Sequence, residues 1–330
     1  MKKNIAIIMG GYSTEFEISI QSGNVVYQHI IEKYNAYCVH ILNDKWVVVL
    51  NNGEEFFIDR ADFSVTIKGE KIIFDCVFNT VHGTPGEDGH MQAYFALLNI
   101  PQTSCNLYQA ALTFNKRDTL SVLKPYGIPM AKSVFYNKGE AINEDGIVEK
   151  LGLPCFIKAN RAGSSFGITK VYKKEAIKKA IDVALQEDDE VLMESFLDGI
   201  EVSVGVITYQ GKIKVLPVTE IVSDTDFFDY KAKYEGLSQE ITPARITKTQ
   251  AEEVSALAKK IYEVLNMTGF SRSDFIFHNG KAHFIEINTN PGLSEMSILP
   301  QQANCANISL TELFTDVIEE TIETNKTFKI

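Results

Sequence analysis

No stretch of this chain is long and apolar enough to suggest a membrane span or a secretory leader. The apolar run after Met1-Lys2-Lys3-Asn4 covers only Ile5 to Met9. Paired cysteines are also missing. The five present (Cys38, Cys76, Cys105, Cys155 and Cys305) show no C-x-x-C spacing, so reduced, mostly buried thiols in a cytoplasmic protein are expected. There is no basic excess. A net charge of -11 argues against a large nucleic-acid footprint, while a local basic pocket for phosphates stays possible. Neither a Walker A motif nor a G-x-G-x-x-G fingerprint occurs, and the second absence argues against a Rossmann oxidoreductase. Internal repeats and low-complexity tracts are absent as well.

What remains is an ordinary globular composition, 45% hydrophobic and 23% charged over 330 residues, enough for two or three domains. Residues 4–9 read as a buried strand, followed by Gly10-Gly11 and a helix over about 15–31. Thr14 and Glu17 have capping-box spacing at its start. This opening suggests an α/β unit. A further apolar strand over 72–78 runs into the polar loop 82–89, and a helix over 90–98 follows. A second unit begins near 111. It has helices over 116–126 and 174–185 and strands over 155–159, 168–172 and 190–196. The remainder holds strands near 202–207 and 213–219, a polar aromatic stretch at 223–240, a helix over 248–265, a hairpin over 271–288 and a closing helix over 309–322.

The hairpin carries the strongest chemical signal. Asn279-Gly280 marks its turn, and turn length decides which side chains share a face, since a one-residue slip flips them all. A two-residue turn would pair Asp274 with Ile285 and put that acid opposite to the Glu286 face. A three-residue loop, His278-Asn279-Gly280, pairs Asp274 with Phe284 and Arg272 with Glu286. Arg272, Asp274, Glu286 and Asn288 then share one face, and Phe275, Phe277, Ile285 and Ile287 the other. The second register is the one adopted. Two carboxylates and an amide oxygen suit a hard cation completed by phosphates and water, although a solvated strand face with an Arg–Glu pair fits the residue types equally. The continuation Thr289-Asn290-Pro291-Gly292 tips the balance, because a rigid Pro-Gly turn can bring backbone N–H groups to a substrate anion.

Other candidates are weaker taken singly. The loop Arg161-Ala162-Gly163-Ser164-Ser165-Phe166-Gly167 can cradle phosphates, with Lys158 on the preceding strand adding a point charge, but alone it reads better as a plain turn. Glu194-Ser195-Phe196-Leu197 reads first as the end of a core strand. His82 could be only a loop histidine and Glu15 only a favourable charge at a helix start. The aromatic run 227–234 is either a mobile surface loop or a lid.

Taken in order, these segments closely resemble the D-alanine–D-alanine ligases, a family of ATP-grasp enzymes, over nearly the whole chain. The resemblance rests on Gly10-Gly11-Tyr12-Ser13-Thr14-Glu15, His82-Gly83, Gly86-Glu87-Asp88-Gly89, Lys116, Lys158, Gly163-Ser164-Ser165, the 227–234 run, Arg272-x-Asp274 and Glu286-x-Asn288-x-x-Pro291-Gly292. It implies an α/β (α+β) three-domain ATP-grasp fold. The expected parts are a Rossmann-like N-terminal domain (1–110), a central subdomain (111–194) and a C-terminal subdomain (195–330) with a lid at about 223–240. By the same resemblance Lys116 and Lys158 contact ATP phosphates, Gly163, Ser164 and Ser165 cover them, Glu194, Ser195, Phe196 and Leu197 form the adenine hinge, and Glu201 meets the ribose. Asp274, Glu286 and Asn288 would bind two Mg²⁺ (or Mn²⁺) ions. Glu15 would hold the ammonium of the first D-alanine, with His82 nearby, and Lys233, Ser297 and Ile298 the carboxylate of the second.

The implied activity is ATP-dependent formation of D-alanyl-D-alanine for peptidoglycan precursors. An acyl phosphate forms first, and a tetrahedral oxyanion then meets Arg272 and the Gly292 N–H. Ser164, Tyr234 and Glu15 form the network over that centre, and which of them takes the amine proton stays open. A cytoplasmic homodimer, bound to neither nucleic acid nor membrane, is expected. Phe228 replaces a tyrosine found in some relatives, and Ala162 an acid. Tyr234 stands where relatives that make D-alanyl-D-lactate carry histidine, which favours D-alanine as acceptor. The alternatives are an ATP-grasp ligase with a D-serine or D-lactate acceptor and a nucleotide-binding regulatory protein with an inert site.

Overall fold

In the computed structural model, residues 2–163, 167–223 and 238–327 are described. Strand β1 (Asn4–Gly10) is an interior strand of the N-terminal sheet, one place in from its edge, and Ile5, Ala6, Ile7, Ile8 and Met9 are all fully buried. Its two faces serve different cores. Ile5, Ile7 and Met9 pack with helix α1 (Phe16–Ile30) and with the chain's last helix, whereas Ala6 and Ile8 face Phe63, Phe74 and Phe95. A strand buried on both faces has no reason to alternate, which is why its sequence is a continuous apolar run. The capping box of Thr14 and Glu17 does not form. Glu15 occupies the cap position of α1 and makes no side-chain capping bond.

β1 pairs in parallel with β2 (Asn35–Ile41) and β7 (Cys76–Asn79). Beyond β2 come β3 (Trp46–Val49), β4 (Glu55–Asp59), β5 (Ser64–Ile67) and β6 (Glu70–Ile72), giving the order β6-β5-β4-β3-β2-β1-β7. The strand expected over 72–78 is therefore two strands at opposite edges of one sheet. Only 73–75 separate them, a reach of about 15 Å between flanking Cα atoms, while a flat seven-stranded sheet would be about 29 Å wide. The sheet must curl, and Phe74 in the connection packs inside the curl against Tyr37 and Phe63.

Helices α2 (His90–Leu97), α3 (Leu107–Phe114) and α4 (Lys116–Leu123) lead to a four-stranded antiparallel sheet of β8 (Ser133–Asn137), β9 (Cys155–Ala159), β10 (Thr169–Val171) and β11 (Glu190–Ser195), in the order β10-β9-β11-β8. Helices α5 (Glu144–Leu151) and α6 (Ile177–Ala184) cover one face. The third sheet contains β12 (Gly199–Tyr209), β13 (Lys212–Val215), β14 (Thr219–Ser223), β15 (Ser238–Ile241), β16 (Phe270–His278) and β17 (Lys281–Asn288). One of its faces packs on α7 (Lys248–Val264), which starts with a complete Thr247–Gln250 capping box.

Helices α8 (Ile298–Cys305) and α9 (Leu310–Thr327) return the chain to its beginning. Leu313, Phe314, Val317 and Ile318 join the β1–α1 core, and Glu319 accepts from Lys3 Nζ (2.5 Å) and Tyr34 Oη (2.7 Å). This closure sets the loops after β1 and β7 against the β16–β17 face. Among the described residues no helix is long and apolar enough to cross a membrane.

Candidate active site

The β16–β17 hairpin turns on two residues, not three. Asn279 (φ 51°) and Gly280 (φ 76°) both take the left-handed conformation, and His278 pairs directly with Lys281. The expected pairings of Asp274 with Phe284 and Arg272 with Glu286 are therefore wrong. A β-bulge corrects the parity instead. Phe275 opposes Phe284 but Asp274 opposes Glu286, so Ile285 is the extra residue, and Arg272 opposes Asn288. The core face consists of Phe275, Phe277, Ala282, Phe284 and Ile287, with Ile285 excluded from it. All four polar side chains still share the other face.

On that face Asp274 is nearly covered, at 8% exposure. It accepts from Ser203 Oγ (2.6 Å) on β12 and from Arg272 Nε (3.3 Å) and Nη2 (3.2 Å). Burial works against the Arg272 charge, yet Asp274, Glu286 and Glu240 hold its pKa above the ordinary guanidinium value. Glu286 faces Lys116 across 3.4 Å, and Lys116 Nζ also donates to the Ala162 carbonyl (2.7 Å). Two carboxylates opposed across a bulged ladder, with an amide oxygen beside them, fit a hard divalent cation that phosphates and water would complete.

Arg272, Glu286 and Asn288 line a cleft of about 390 Å³, together with Lys116, Ala162, Gly163, Gly292, Ser297 and Ile298. The wall across from them comes from the N-terminal sheet: Glu15 after β1, and His82 and Glu87 in the loop after β7. Glu15 and Gly163 are in close contact, since a Cβ on Gly163 would lie 2.6 Å from Glu15 Oε2. A Cβ on Gly292 would meet Ser297 Oγ at 2.8 Å, so a side chain at this turn would push the Ser297 hydroxyl from its place. Ser297 precedes α8 and makes no side-chain cap, and Ser297 and Ile298 at the start of that helix both line the cleft.

Burial, the largest influence, lowers the pKa of His82 and keeps its ring neutral. Burial and then Glu15 push the Glu87 carboxyl up to about 8, against the Gly83 N–H that it accepts at 2.6 Å. Glu87 and Glu240, which also lines the cleft, were not singled out as site residues from the sequence. The only hint for Glu87 is its place between Gly86 and Gly89 in a tight loop; a Cβ on Gly86 would sit 2.1 Å from the Val81 carbonyl oxygen. Glu240 gives no sequence signal at all.

Lys158, Glu194, Ser195, Phe196, Leu197 and Glu201 do not line this cleft. Lys158 lies on β9, Glu194 and Ser195 on β11, Glu201 on β12, and Phe196 and Leu197 in the link between β11 and β12. Lys158 Nζ lies 2.6 Å from Glu194 Oε2 in a buried ion pair, where Glu194 and Glu286 raise the lysine pKa against its desolvation. Among the described residues Glu194 Oε1 has no hydrogen-bond partner, although it is buried. Ser164, Ser165, Lys233 and Tyr234 lie outside the described residues, as do 224–237 of the expected lid. β14 and β15, which flank that segment, pair with Ser223 opposite Ser238.

Similarity to known proteins agrees with this geometry. Residues 4–105 match the family described as "D-ala D-ala ligase N-terminus", and residues 122–319 match "D-ala D-ala ligase C-terminus". The D-alanine--D-alanine ligase of Flavobacterium johnsoniae is 63% identical over 318 residues, covering 96% of this chain and 98% of the relative. That of Christiangramia forsetii is 60% identical, covering 97% and 98%. Among solved structures, the VanG D-Ala:D-Ser ligase from Enterococcus faecalis superposes with a TM-score of 0.85 at 32% identity, covering 97% of this chain and 100% of that one. D-alanyl-alanine synthetase A from Vibrio cholerae superposes with a TM-score of 0.88 at 25% identity, covering 98% and 99%.

Proposed function

We propose, from the premise that this chain belongs to the D-alanine–D-alanine ligase family and has its ATP-grasp fold, that the cleft joins two D-alanine molecules into D-alanyl-D-alanine at the expense of ATP. The dipeptide serves peptidoglycan precursor synthesis. One observation carries the reading at the level of residues: a cationic and carboxylate-rich strand face, a Pro-Gly turn, a helix N-terminus and Glu15 converge on one cleft.

A carboxylate is a poor acyl donor, so the first D-alanine must be activated. Glu15 holds its ammonium, and its carboxylate oxygen attacks the γ-phosphorus of ATP, giving an acyl phosphate and ADP. Lys116 and Lys158 contact the phosphates, and the Gly163–Ser165 segment covers them. Both lysines are held in ion pairs with carboxylates, which aims their charge before phosphate arrives. Glu194, Ser195, Phe196 and Leu197 form the adenine hinge, a role supported by the orphan Glu194 Oε1, which suits an exocyclic amine donor. Glu201 meets the ribose.

The second D-alanine places its carboxylate on Lys233, Ser297 and the backbone at Ile298, where the α8 N-terminus favours an anion. Its amine attacks the acyl carbonyl. Arg272 and the Gly292 N–H hold the resulting oxyanion until phosphate leaves, and the amine proton passes into the network of Ser164, Tyr234 and Glu15. Asp274, Glu286 and Asn288 would hold two Mg²⁺ or Mn²⁺ ions, which supply charge neutralisation at the transferring phosphoryl group.

We further read the chain as three units divided near 110 and 194, as a homodimer and as a cytoplasmic protein. The test is phosphate release with Mg-ATP against a panel of D-amino acids and D-lactate, with the product identified. D-Alanyl-D-alanine as the main product is expected; a strong preference for D-lactate or D-serine would overturn the acceptor assignment, and nucleotide binding without turnover would overturn the ligase reading.

A further inference from the structure

Ser22 lies on α1, fully buried, at the seam where the N-terminal sheet meets the turn after β17. Its Oγ is 3.1 Å from the Leu293 backbone nitrogen and 3.3 Å from His82 Nε2. A backbone N–H can only donate, so the hydroxyl accepts from Leu293. Its own single hydrogen must go elsewhere, because a buried O–H left without an acceptor is costly. Among the described residues the structure offers that hydrogen only His82 Nε2. A neutral imidazole that accepts at Nε2 carries its hydrogen on Nδ1. The ring also reaches the Asn290 backbone, and the Asn290 side chain donates to the Val81 carbonyl at 2.7 Å. Residues 290–293 are thus held at both ends, by the Val81 carbonyl at Asn290 and by Ser22 at Leu293. Pro291 between them has no N–H to contribute.

We propose that Ser22 is a positioning residue for the ligation step: by clamping Leu293 N–H and fixing the tautomer of His82, it aims the Gly292 N–H at the developing oxyanion. This rests on the ligase reading and on Gly292 as an oxyanion donor. It changes the role of His82, whose Nε2 is engaged by Ser22 and not offered to D-alanine.

The test uses the full chain and three variants, Ser22→Ala, Ser22→Thr and His82→Gln. Long-range ¹H–¹⁵N correlation on imidazole-labelled protein, with His82→Gln supplying the assignment, should find the Nδ1–H tautomer in the unsubstituted protein and lose that single form in Ser22→Ala. Kinetically, Ser22→Ala should lower kcat by about 10–100-fold, a part of what loss of a whole oxyanion donor costs, with the KM for ATP within about twofold. Phosphate released per dipeptide should rise above one as stranded acyl phosphate meets water. Ser22→Thr, which keeps the hydroxyl, should recover most of kcat. An Nε2–H tautomer in the unsubstituted protein overturns the relay whatever the kinetics show. So does a Ser22→Ala enzyme with unchanged kcat, or one whose loss appears equally in KM for ATP. An unsubstituted chain that makes no dipeptide overturns the ligase reading itself, and the role of Ser22 with it.

Discussion

Glu87 links the cleft to stability in a way that a pH series can measure. Its carboxyl accepts the Gly83 N–H, lies 9% exposed and is pushed up to about 8, by burial first and the Glu15 charge second. An unfolded chain would hold the same proton with a pKa of about 4.5. Between those values the folded protein keeps a proton that the unfolded chain has lost, so stability falls as pH rises through this window and is flat outside it. The window spans about 3.5 pH units at about 1.4 kcal/mol each, a ceiling of about 5 kcal/mol. Relaxation and water entry around the ionised group bring the expected penalty to about 2–4 kcal/mol.

Glu87→Gln keeps the acceptor for Gly83 N–H and cannot ionise. Urea unfolding of both proteins at intervals from pH 5 to pH 9 isolates the effect, because titrating groups distant from Glu87 cancel in the difference. The glutamine variant should gain on the parent steadily from about pH 5 to pH 8 and hold a constant advantage above that. A difference independent of pH, or one that grows toward acid, would refute the reasoning. The functional corollary is that at neutral pH this wall of the cleft presents the charge of Glu15 without a second one from Glu87.

Three further substitutions probe separate parts of the site. Ser203→Ala removes the 2.6 Å bond that orients Asp274, so Mn²⁺ affinity measured by EPR titration with ADP bound should weaken about tenfold or more; unchanged affinity would count against Asp274 as a ligand. Gly163→Ala places a methyl 2.6 Å from Glu15 Oε2, and overpacking of about 1–3 kcal/mol should raise the KM for the first D-alanine about tenfold, more than it raises the KM for ATP. Equal change in both constants would contradict the assignment of Glu15. Lys158→Ala leaves Glu194 charged and buried, at a cost of about 3–5 kcal/mol in urea unfolding. The double variant Lys158→Met with Glu194→Met should recover most of that loss, and equal destabilisation of the single and double variants would show that the ion pair is not its source.

The parts of this protein that sequence makes legible are those decided by neighbours in the chain. Cys155–Ala159 is a strand at the expected positions, and the capping-box residues of α7 mark its start. Glu240 and the curl of the first sheet are decided by distant packing, and no local pattern announces them. The hairpin sits between these cases. Asn279-Gly280 specifies a two-residue turn from local conformational preference alone, but nothing in Phe284-Ile285-Glu286-Ile287 says where the ladder should break. The break is chosen by long-range partners: the Phe284 N–H donates to the Pro129 carbonyl at 2.8 Å, and the Phe284 ring packs edge-on against Phe275 at 5.9 Å. With Phe284 pinned to the core, Ile285 is left over and Glu286 swings to the face of Asp274.

A three-residue turn would put its extra residue at the tip; the bulge puts it next to the acids. Both give the same parity, so Arg272, Asp274, Glu286 and Asn288 share a face in either register. Their effects on geometry differ. In the bulged ladder Asp274 stands directly opposite Glu286, and Arg272 opposite Asn288, which brings the two carboxylates of the proposed cation site together and leaves Arg272 beside Asp274. An extra residue at the turn would have placed the arginine opposite Glu286 instead, competing for the same carboxylate as Lys116. The bulge therefore does more than restore alternation: it separates Arg272, the charge proposed to hold an oxyanion, from Glu286, the carboxylate that faces Lys116.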